Sequence, residues 1–327
     1  MLNILKTRIG GGKMADLFQE IKDKLRGANI SIVLPEGNDE RIIAAALKLQ
    51  KEGIITPIVI GSEKEVPSNL TVINPETFEE MDELVEAFVE RRKGKVTTEE
   101  AREILKNVNY FGTMLVYTMR ANGLVSGAVH TTAETVRPAL QIIKTKPGIS
   151  KTSGAFLMVK DELRYVFADC AITIAPTSED LAEIAVESAK TAAAFGIKPK
   201  VAMLSFSTKG SAQSKETEKV VQATKLAKQL APEIAIEGEL QFDASIVPAI
   251  AAKKAPGAVV QGDANVFVFP SLEAGNIGYK IAERLGGFEA IGPILQGLYA
   301  PVNDLSRGCS AEDVYKLSYI TAAQALE

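Results

Sequence analysis

Histidine and cysteine are almost absent from this chain of 327 residues, which contains one histidine and two cysteines. So few ligands exclude the usual zinc cages, and they exclude a disulfide framework as well. The lone histidine is His130, and no serine lies in a G-x-S-x-G motif, so nucleophilic triads are also excluded. This sparse use of cysteine predicts a reducing, cytoplasmic setting.

The sequence also lacks a large net charge and a long apolar run. Its formal net charge of −4 gives no bulk attraction for nucleic acid or for an anionic membrane surface. No apolar run approaches the roughly 20 residues that a membrane-spanning helix needs. We therefore expect neither nucleic acid nor a membrane as a partner, and any anion site must be built locally.

The first 13 residues do not have the pattern of a folded segment or of a signal peptide. Residues 1–13 are too short and too interrupted for a secretory signal. A second methionine, Met14, begins a clean helical pattern. We therefore interpret residues 1–13 as a leader outside the fold.

The remaining chain is long enough for two domains, each with its own core. Short buried-strand runs alternate with helical patterns of ten or more residues, which is typical of βαβ units on largely parallel sheets. Residues 144–151 combine charge, proline and glycine and form the best linker candidate. The sequence thus predicts an α/β protein with one domain from 14–148 plus 300–327 and a second from 149–299. The last helix returns to the first domain.

Three local predictions can be compared directly with a structure. Residues 155–159 and 163–167 are expected to pair as a hairpin, because both are short apolar runs separated by a charged turn. Residues 171–175 are predicted to be a further strand, and a helix is predicted from about 133 to 143.

The stretch from 303 to 315 is predicted to be a loop that runs into a helix, and it contains the residues most suited to catalysis. Ser310 and Asp313 have the spacing of a capping box at the start of a helix. Close before them lie the hydroxyl of Ser306 and the bidentate cation of Arg307, so the stretch holds the parts needed to bind an oxyanion and to move a proton. The alternative interpretation is a well-capped terminal helix whose Asp313 faces the helix dipole. The local pattern leaves both interpretations open.

Two other reactive side chains also have two interpretations. His130 lies between a strand and a helix, and a structural imidazole is favoured there over a general base. Cys309, close to Arg307, is either a low-pKa nucleophile that carries an acyl group or a buried, inert thiol. The inert thiol is favoured because no histidine adjoins it and cysteines are usually buried. Cys170 is predicted to be a core residue.

Small polar turns follow most of the predicted strands, and several arginines lie close to them. None of the turns is a Walker loop or a GxGxxG fingerprint, so the pattern indicates a small-anion site rather than a nucleotide motif. Arg41, Arg137 and Arg284 could each match a phosphate group bidentately. Arg91 and Arg92 end a helix and also suit its dipole.

Three segments together resemble a known enzyme family. They are NDLSRG at 303–308, TVRPAL at 135–140, and the long run DANVFVFPSLEAGNIGYK at 263–280. The chain from Met14 onward resembles the phosphate acetyltransferases (phosphotransacetylases) of the short, single-module bacterial type. This resemblance implies the two-domain fold of the isocitrate and isopropylmalate dehydrogenases, with mainly parallel sheets flanked by helices. It also implies a homodimer with the active site in the interdomain cleft.

The resemblance further implies roles for individual residues. Asp313 corresponds to the general base, and Ser306 with Arg307 corresponds to the pair that holds the acyl phosphate and its developing charge. The residues that correspond to substrate-binding positions for phosphate or coenzyme A are Arg41, Arg91, Arg137, Arg284 and Thr132. The expected substrates are acetyl phosphate and coenzyme A, with no tightly bound cofactor and no metal. Direct attack of the thiolate in a ternary complex is the expected route.

Other activities stay open from the sequence. A butyryl transferase would use a longer acyl chain with the same residues. A decarboxylating NAD(P) dehydrogenase shares the implied fold, but no cluster of aspartates is spaced for a divalent metal beside a cofactor fingerprint. The third alternative is a non-catalytic module that binds acetyl-CoA. It is disfavoured because the chain retains Ser306, Arg307 and Asp313, which correspond to the catalytic positions.

Overall fold

The structure is a computed structural model and describes residues 17–326. The predicted leader at 1–13 and the helical start at Met14 lie outside the described residues. None of the helices in the described part combines the length and apolar character needed to cross a bilayer.

Strands and helices alternate along most of the described chain. The strands are β1 (Ser31–Leu34), β2 (Thr56–Ile60), β3 (Thr71–Ile73), β4 (Gly123–Ser126), β5 (Ser153–Lys160), β6 (Leu163–Ala168), β7 (Lys200–Leu204), β8 (Ala235–Leu240), β9 (Val266–Val268), β10 (Glu289–Gln296) and β11 (Val302–Asp304). The helices are α1 (Leu17–Leu25), α2 (Glu40–Glu52), α3 (Met81–Arg92), α4 (Thr98–Ile104), α5 (Val108–Tyr117), α6 (Thr132–Pro138), α7 (Ser178–Ala194), α8 (Lys215–Leu230), α9 (Phe242–Ile246), α10 (Pro248–Lys254), α11 (Leu272–Arg284) and α12 (Ala311–Gln324).

The strands form two sheets. The first has the order β11-β4-β1-β2-β3, and all its pairs are parallel. Its carboxyl ends therefore lie at one edge, where β11 brings Asp304 into register with Ser126 of β4. The second has the order β10-β5-β6-β9-β7-β8, with antiparallel pairs at β10-β5-β6 and parallel pairs elsewhere. The hairpin predicted at 155–167 is confirmed by β5 and β6.

The last helix packs against the first sheet and its flanking helices. Most side chains of α12 are buried, and the helix contacts α1, α2 and β4. The hydroxyls of Tyr315 and Tyr319 both donate to the carboxylate of Glu52 at the end of α2, at 2.8 and 2.6 Å. One hydrophobic cluster includes side chains of α12 and of both sheets, so the two sheets share part of their core. The domain boundaries at 148 and 300 stay a prediction.

The prediction of a strand at 171–175 is wrong, because the structure has no strand there. The carboxylate of Asp169 instead accepts backbone N–H groups from Ala171, Ile172 and Thr173, at 2.8 to 3.0 Å. These bonds satisfy the backbone locally, so the segment forms a turn and needs no neighbouring strand.

Two other predictions need correction at their boundaries. The helix predicted for 133–143 changes at Pro138 into a π-helical segment, Ala139–Ile143. Proline cannot donate a backbone N–H, so the regular ladder is interrupted near that position. Asn303 and Asp304 belong to β11 rather than to a loop. Polar residues are not typical of a buried strand, so the pattern did not predict one here. In the structure the side-chain amide of Asn303 donates hydrogen bonds to Thr321 and Gln324.

Candidate active site

A cleft of about 620 Å³ lies between elements of the two sheets. One wall is formed by the segment after β11, the start of α12 and Thr132 of α6. The opposite wall is formed by α11, β10 and the turn after β6. The polar and sulfur-bearing side chains of the lining are Thr132, Cys170, Asn276, Tyr279, Lys280, Glu283, Arg284, Asp304, Ser306, Cys309, Ser310 and Asp313.

Asp313 lines this cleft from the first turn of α12. Its Oδ2 accepts hydrogen bonds from the backbone N and the Oγ of Ser310, at 2.7 and 2.8 Å. Ser310 Oγ in turn accepts the backbone N–H of Asp313, which confirms the predicted capping box. Within residues 17–326, no hydrogen bond involves Oδ1. The capping role therefore occupies one carboxylate oxygen and leaves the other for a ligand.

The predicted pair Ser306 and Arg307 does not face the cleft equally. Ser306 lines it, and its Oγ accepts the backbone N–H of Gly308 at 3.3 Å. Arg307 is exposed, and its side chain is not part of the lining. The backbone carbonyl of Arg307, in contrast, is held in place by a hydrogen bond of 2.7 Å from Arg41 Nη1.

Arg41 acts as a brace between three loops at the edge of the first sheet. Its Nη1 donates to the carbonyls of Arg307 and Cys309, at 2.7 and 3.0 Å. Its Nη2 donates to the carbonyl of Ala128 at 2.7 Å. Nε and Nη2 also form a fork on the carboxylate of Asp39, which raises the pKa of Arg41 further. All five N–H groups of this guanidinium are therefore engaged by the protein.

The other predicted arginines occupy different places. Arg284, on α11, lines the cleft and is largely exposed, and it pairs with the adjacent Glu283 at 3.4 Å. Arg137 on α6 is exposed and makes no hydrogen bond or ion pair within the described chain. Arg91 donates to the carbonyls of Ile142 and Ile143, at 2.6 and 2.9 Å, and is not part of the lining.

Glu36 organises the loop after β4. Its place in a polar turn after a buried strand was the one signal in the sequence. Its carboxylate is buried and accepts four successive backbone N–H groups, from Gly127 to His130, at 2.8 to 3.1 Å. The ring Nδ1 of His130 lies 2.8 Å from the same carboxylate. This contact is consistent with the favoured structural role of His130, which stays a prediction.

Asp304 is a second carboxylate of the cleft that sequence reasoning did not single out. It is 1% exposed, and its Oδ2 accepts the hydroxyl of Thr132 at 2.7 Å. Its Oδ1 is buried without a hydrogen-bond partner. Burial raises the pKa of Asp304 to about 6, and the charge of nearby Glu36 adds to the effect. Its place within the NDLSRG segment was the only available signal.

The two cysteines are unpaired and buried. Cys309 lines the cleft, but burial raises the pKa of its thiol to about 11, although the guanidinium of Arg41 opposes that shift. Burial likewise raises the pKa of Cys170. A thiolate is the reactive form, so the raised pKa favours the inert thiol over the nucleophile at Cys309.

Comparisons with known proteins agree with this geometry. The family model described as phosphate acetyl/butaryl transferase matches residues 16–322. The phosphate acetyltransferase of Bacillus subtilis (strain 168) is 64% identical over 323 residues, covering 96% of this chain and 100% of that protein. A solved phosphotransacetylase from Staphylococcus aureus is 64% identical with a TM-score of 0.91, and the match covers 96% of this chain and 100% of the other.

A more distant solved structure shares the fold alone. It is described as a 4-hydroxythreonine-4-phosphate dehydrogenase from Salmonella typhimurium and has a TM-score of 0.52 at 14% identity. The match covers 91% of this chain and 100% of the other. The predicted α/β fold, with mainly parallel sheets of a type shared with dehydrogenases, is confirmed.

Proposed function

The chain belongs to the phosphate acetyl/butaryl transferase family, and on that premise we propose that it catalyses reversible acetyl transfer between acetyl phosphate and coenzyme A. One observation carries the proposal in atomic terms. Asp313, with one free carboxylate oxygen, and Ser306 line the same cleft. A base and a hydroxyl in one enclosed space suit proton removal from a thiol beside an acyl phosphate.

In the proposed reaction, Asp313 Oδ1 accepts the proton of the coenzyme A thiol. In the same step the sulfur attacks the acetyl carbonyl, and the carbon–oxygen bond to phosphate then breaks, so phosphate leaves with the electron pair. A carboxylate of pKa near 4 that removes a proton from a thiol near 8.5 works uphill by about 6 kcal/mol. Proton transfer therefore accompanies attack rather than preceding it.

The charge that grows on the carbonyl oxygen needs donors on the same wall of the cleft. We assign this role to Ser306 and Arg307, which follow β11 directly. Since the Arg307 side chain is exposed and unpartnered in the described chain, it is free to turn toward a bound ligand. Phosphate is a good leaving group, so little acid catalysis is required.

Phosphate groups of the substrates are assigned to two exposed arginines. Arg284 lines the cleft, and Arg137 is exposed on α6, so both can form bidentate bonds with phosphate oxygens. Thr132 supplies a hydroxyl in the lining of the cleft. Arg41 and Arg91 act in this proposal through the loops whose carbonyls they hold, and a direct contact of either with phosphate stays a prediction.

The deciding experiment mixes the protein with coenzyme A and acetyl phosphate and follows thioester formation. A parallel reaction with butyryl phosphate tests the longer-chain alternative, and NAD(P) with 2-hydroxy acids tests the dehydrogenase. We expect acetyl-CoA to form faster than butyryl-CoA and no reduction of NAD(P). Absence of thioester from both acyl phosphates would overturn the proposal.

The direct route is tested separately from the activity. Acid quenching during turnover, followed by intact-protein mass spectrometry, should find no acetylated enzyme, because the raised pKa keeps the Cys309 thiol protonated. An acetyl group on Cys309 that forms and decays at the rate of turnover would contradict it.

The assembly and setting also belong to the proposal. We propose a homodimer in the cytoplasm, with coenzyme A as a substrate and no tightly bound cofactor. Support for the dimer comes from α11, which carries exposed apolar side chains at Ile277 and Ile281, with Leu285 directly after its end. Their spacing of four residues forms one stripe, and such a stripe is typical of an interface.

A further inference from the structure

Asp304 and Thr132 form a hydrogen-bonded pair on the wall of the cleft. Asp304 ends β11 and is 1% exposed, whereas Thr132 begins α6 and is solvent-accessible. Their contact is a hydrogen bond of 2.7 Å from Thr132 Oγ1 to Asp304 Oδ2. Both side chains line the cleft, so a ligand there meets the outer side of the threonine hydroxyl.

The carboxylate has too few partners for a buried anion. Oδ1 receives no hydrogen bond and lies against Gly127, where an added Cβ would approach it to 2.5 Å. The buried hydroxyl of Thr135, on the same helix as Thr132, and the backbone N–H of Leu305 lie near this carboxylate, and both lower its pKa. The effect of burial is larger than that of these donors, so the neutral form is favoured relative to an exposed carboxylate.

The charged groups around the pair do not supply the missing compensation. Glu36 faces it from the loop after β1 and is itself negative, while Asp313 and the thiol of Cys309 line the same cleft from α12 and its preceding loop. On α6, the carboxylate of Glu134 accepts hydrogen bonds from the backbone N–H and the hydroxyl of Thr131. Strand β4 has no titratable residue, and β10 has one only at its first position. Arg137, also on α6, is exposed and makes no ion pair with Asp304 within the described residues.

The hydroxyl of Thr132 can serve only one acceptor at a time. While Asp304 is ionised, the Thr132 hydrogen points to Oδ2, and the threonine presents only lone pairs to the cleft. Once Asp304 is protonated, its own O–H can donate to Thr132 Oγ1. The Thr132 hydrogen is then free to bond a phosphate oxygen.

We propose that Asp304 is a positioning residue that couples the binding of a phosphate-bearing substrate at Thr132 to the uptake of one proton. The proton comes from solvent, resides on the Asp304 carboxyl while the oxyanion is bound, and returns to solvent when the ligand leaves. This inference rests on the proposed function in one respect, since it takes Thr132 to be part of the phosphate site. The raised pKa of Asp304, about 6, makes protonation accessible near neutral pH.

The test uses sulfate as the probe, because this dianion does not titrate between pH 5.5 and 8.5. Isothermal calorimetry of the full-length protein, in pairs of buffers with different ionisation enthalpies, measures protons taken up on binding. We expect uptake to approach one proton per sulfate above pH 7, and affinity to fall about tenfold per pH unit there. No sulfate binding at pH 6, or binding without proton uptake, would overturn the proposal.

Variants separate this linkage from other titrations. Asp304→Asn should remove the proton uptake and flatten the pH profile. Thr132→Ser should retain the proton uptake and the pH dependence of sulfate affinity. Thr132→Val should weaken sulfate binding about tenfold at pH 6 and abolish the proton uptake. Asp313→Asn should keep the wild-type uptake, because the base is not part of the pair. Uptake that persists in Asp304→Asn, or disappears in Asp313→Asn, would assign the proton elsewhere.

The acyl transfer assay is run on the same preparations. Proton-linked sulfate binding in a protein that transfers no acetyl group would leave the inference standing and refute the proposed function. Acetyl transfer by a protein whose sulfate binding is not linked to proton uptake would support the proposed function and refute the inference.

Discussion

The two oxygens of one carboxylate have different surroundings at Asp313. Oδ2 closes the capping box with Ser310, whereas Oδ1 takes part in no hydrogen bond within the described chain. A well-capped helix and a general base are therefore compatible at this residue. The sequence pattern could not choose between them because both require an acid at the same position of the helix.

Replacement of Asp313 by asparagine separates the two roles. Asparagine keeps an oxygen that can accept the Ser310 bonds, so the free energy of unfolding should change by less than about 1 kcal/mol. It cannot accept the thiol proton, so kcat should fall by about 10²- to 10⁴-fold while KM stays near wild type. Steady-state kinetics and thermal unfolding measure the two effects.

The matched control is Glu312→Gln. Glu312 adjoins Asp313 but is exposed and pairs with Lys48 at 2.6 Å. Its kcat should stay within about twofold of wild type. A kcat for Asp313→Asn within tenfold of wild type would remove this aspartate from the chemistry.

Asp304 should make the stability of the protein depend on pH. Burial raises its folded pKa to about 6 from the ordinary 3.8, so the folded state favours the neutral acid. The contribution of Asp304 to the free energy of unfolding is fully present below about pH 4 and is lost as pH rises through about 6. Over about two pKa units the loss approaches ~3 kcal/mol.

Asp304→Asn removes this titration from the folded state. We expect the variant to be more stable than wild type at pH 7.5, by up to ~3 kcal/mol, and to lose that advantage as pH falls toward 4. Urea unfolding at several pH values measures the difference. A constant difference across the whole range would show that the Asp304 carboxyl does not titrate in this window.

At the scale of elements, the edge of the first sheet is held together by two side chains. Glu36 gathers the backbone N–H groups after β4, and Arg41 gathers carbonyls from the loops after β4 and β11. The segment with Ser306 is thus positioned by α2, far away in sequence. An arginine assigned to a ligand from sequence here organises the loop that meets the ligand.

Arg41→Lys tests this bracing role. Lysine retains the charge but has three donors and no planar fork, so it cannot hold Asp39 and the carbonyls of Ala128, Arg307 and Cys309 together. We expect a loss of about 2 kcal/mol of stability, faster amide exchange at 308–310 and a kcat at least tenfold lower.

The control for this change is Arg26→Lys, since Arg26 lies at the surface with Asp23 as its partner. That variant should match wild type in exchange, stability and kcat. Unchanged exchange at 308–310 in Arg41→Lys would mean that the loop does not need the brace.

At the scale of the whole molecule, α11 has two chemically different faces. Tyr279, Glu283 and other residues of one face line the cleft. Ile277 and Ile281, with Leu285 beyond the end of the helix, form the exposed apolar stripe. A second copy that covers the stripe would therefore adjoin the cleft without entering it.

Ile281→Asp should prevent that association. An aspartate at the centre of the stripe would be buried without a partner in the dimer, at a cost of several kcal/mol per subunit. We expect sedimentation velocity to find a dimer for wild type and a monomer for the variant. Val221→Asp, an exposed position on α8, is the control and should stay dimeric. A monomeric wild type, or a dimeric variant, would contradict the proposed interface.

Much of the fold was predictable because its signals are local. Runs such as 155–159 and 163–167 alternate with charged turns, and long amphipathic stretches such as α7 have clear periodicity. The prediction failed where polar side chains satisfy the backbone or are buried in pairs. The bonds of Asp169 turned the expected strand at 171–175 into a turn, and Asn303 with Asp304 concealed β11.

By itself the sequence determined the fold class, the capping box of Ser310 and Asp313, and the segments that identify the family, because these depend on neighbours a few residues apart. Only the tertiary structure decided that all donors of Arg41 are engaged, that Glu36 holds the loop after β4, and that Asp304 is buried beside Thr132 with one oxygen unpartnered. Hydrogen-bond partners and the loss of water around a charge depend on residues far apart in the chain. Spacing along a sequence cannot report them.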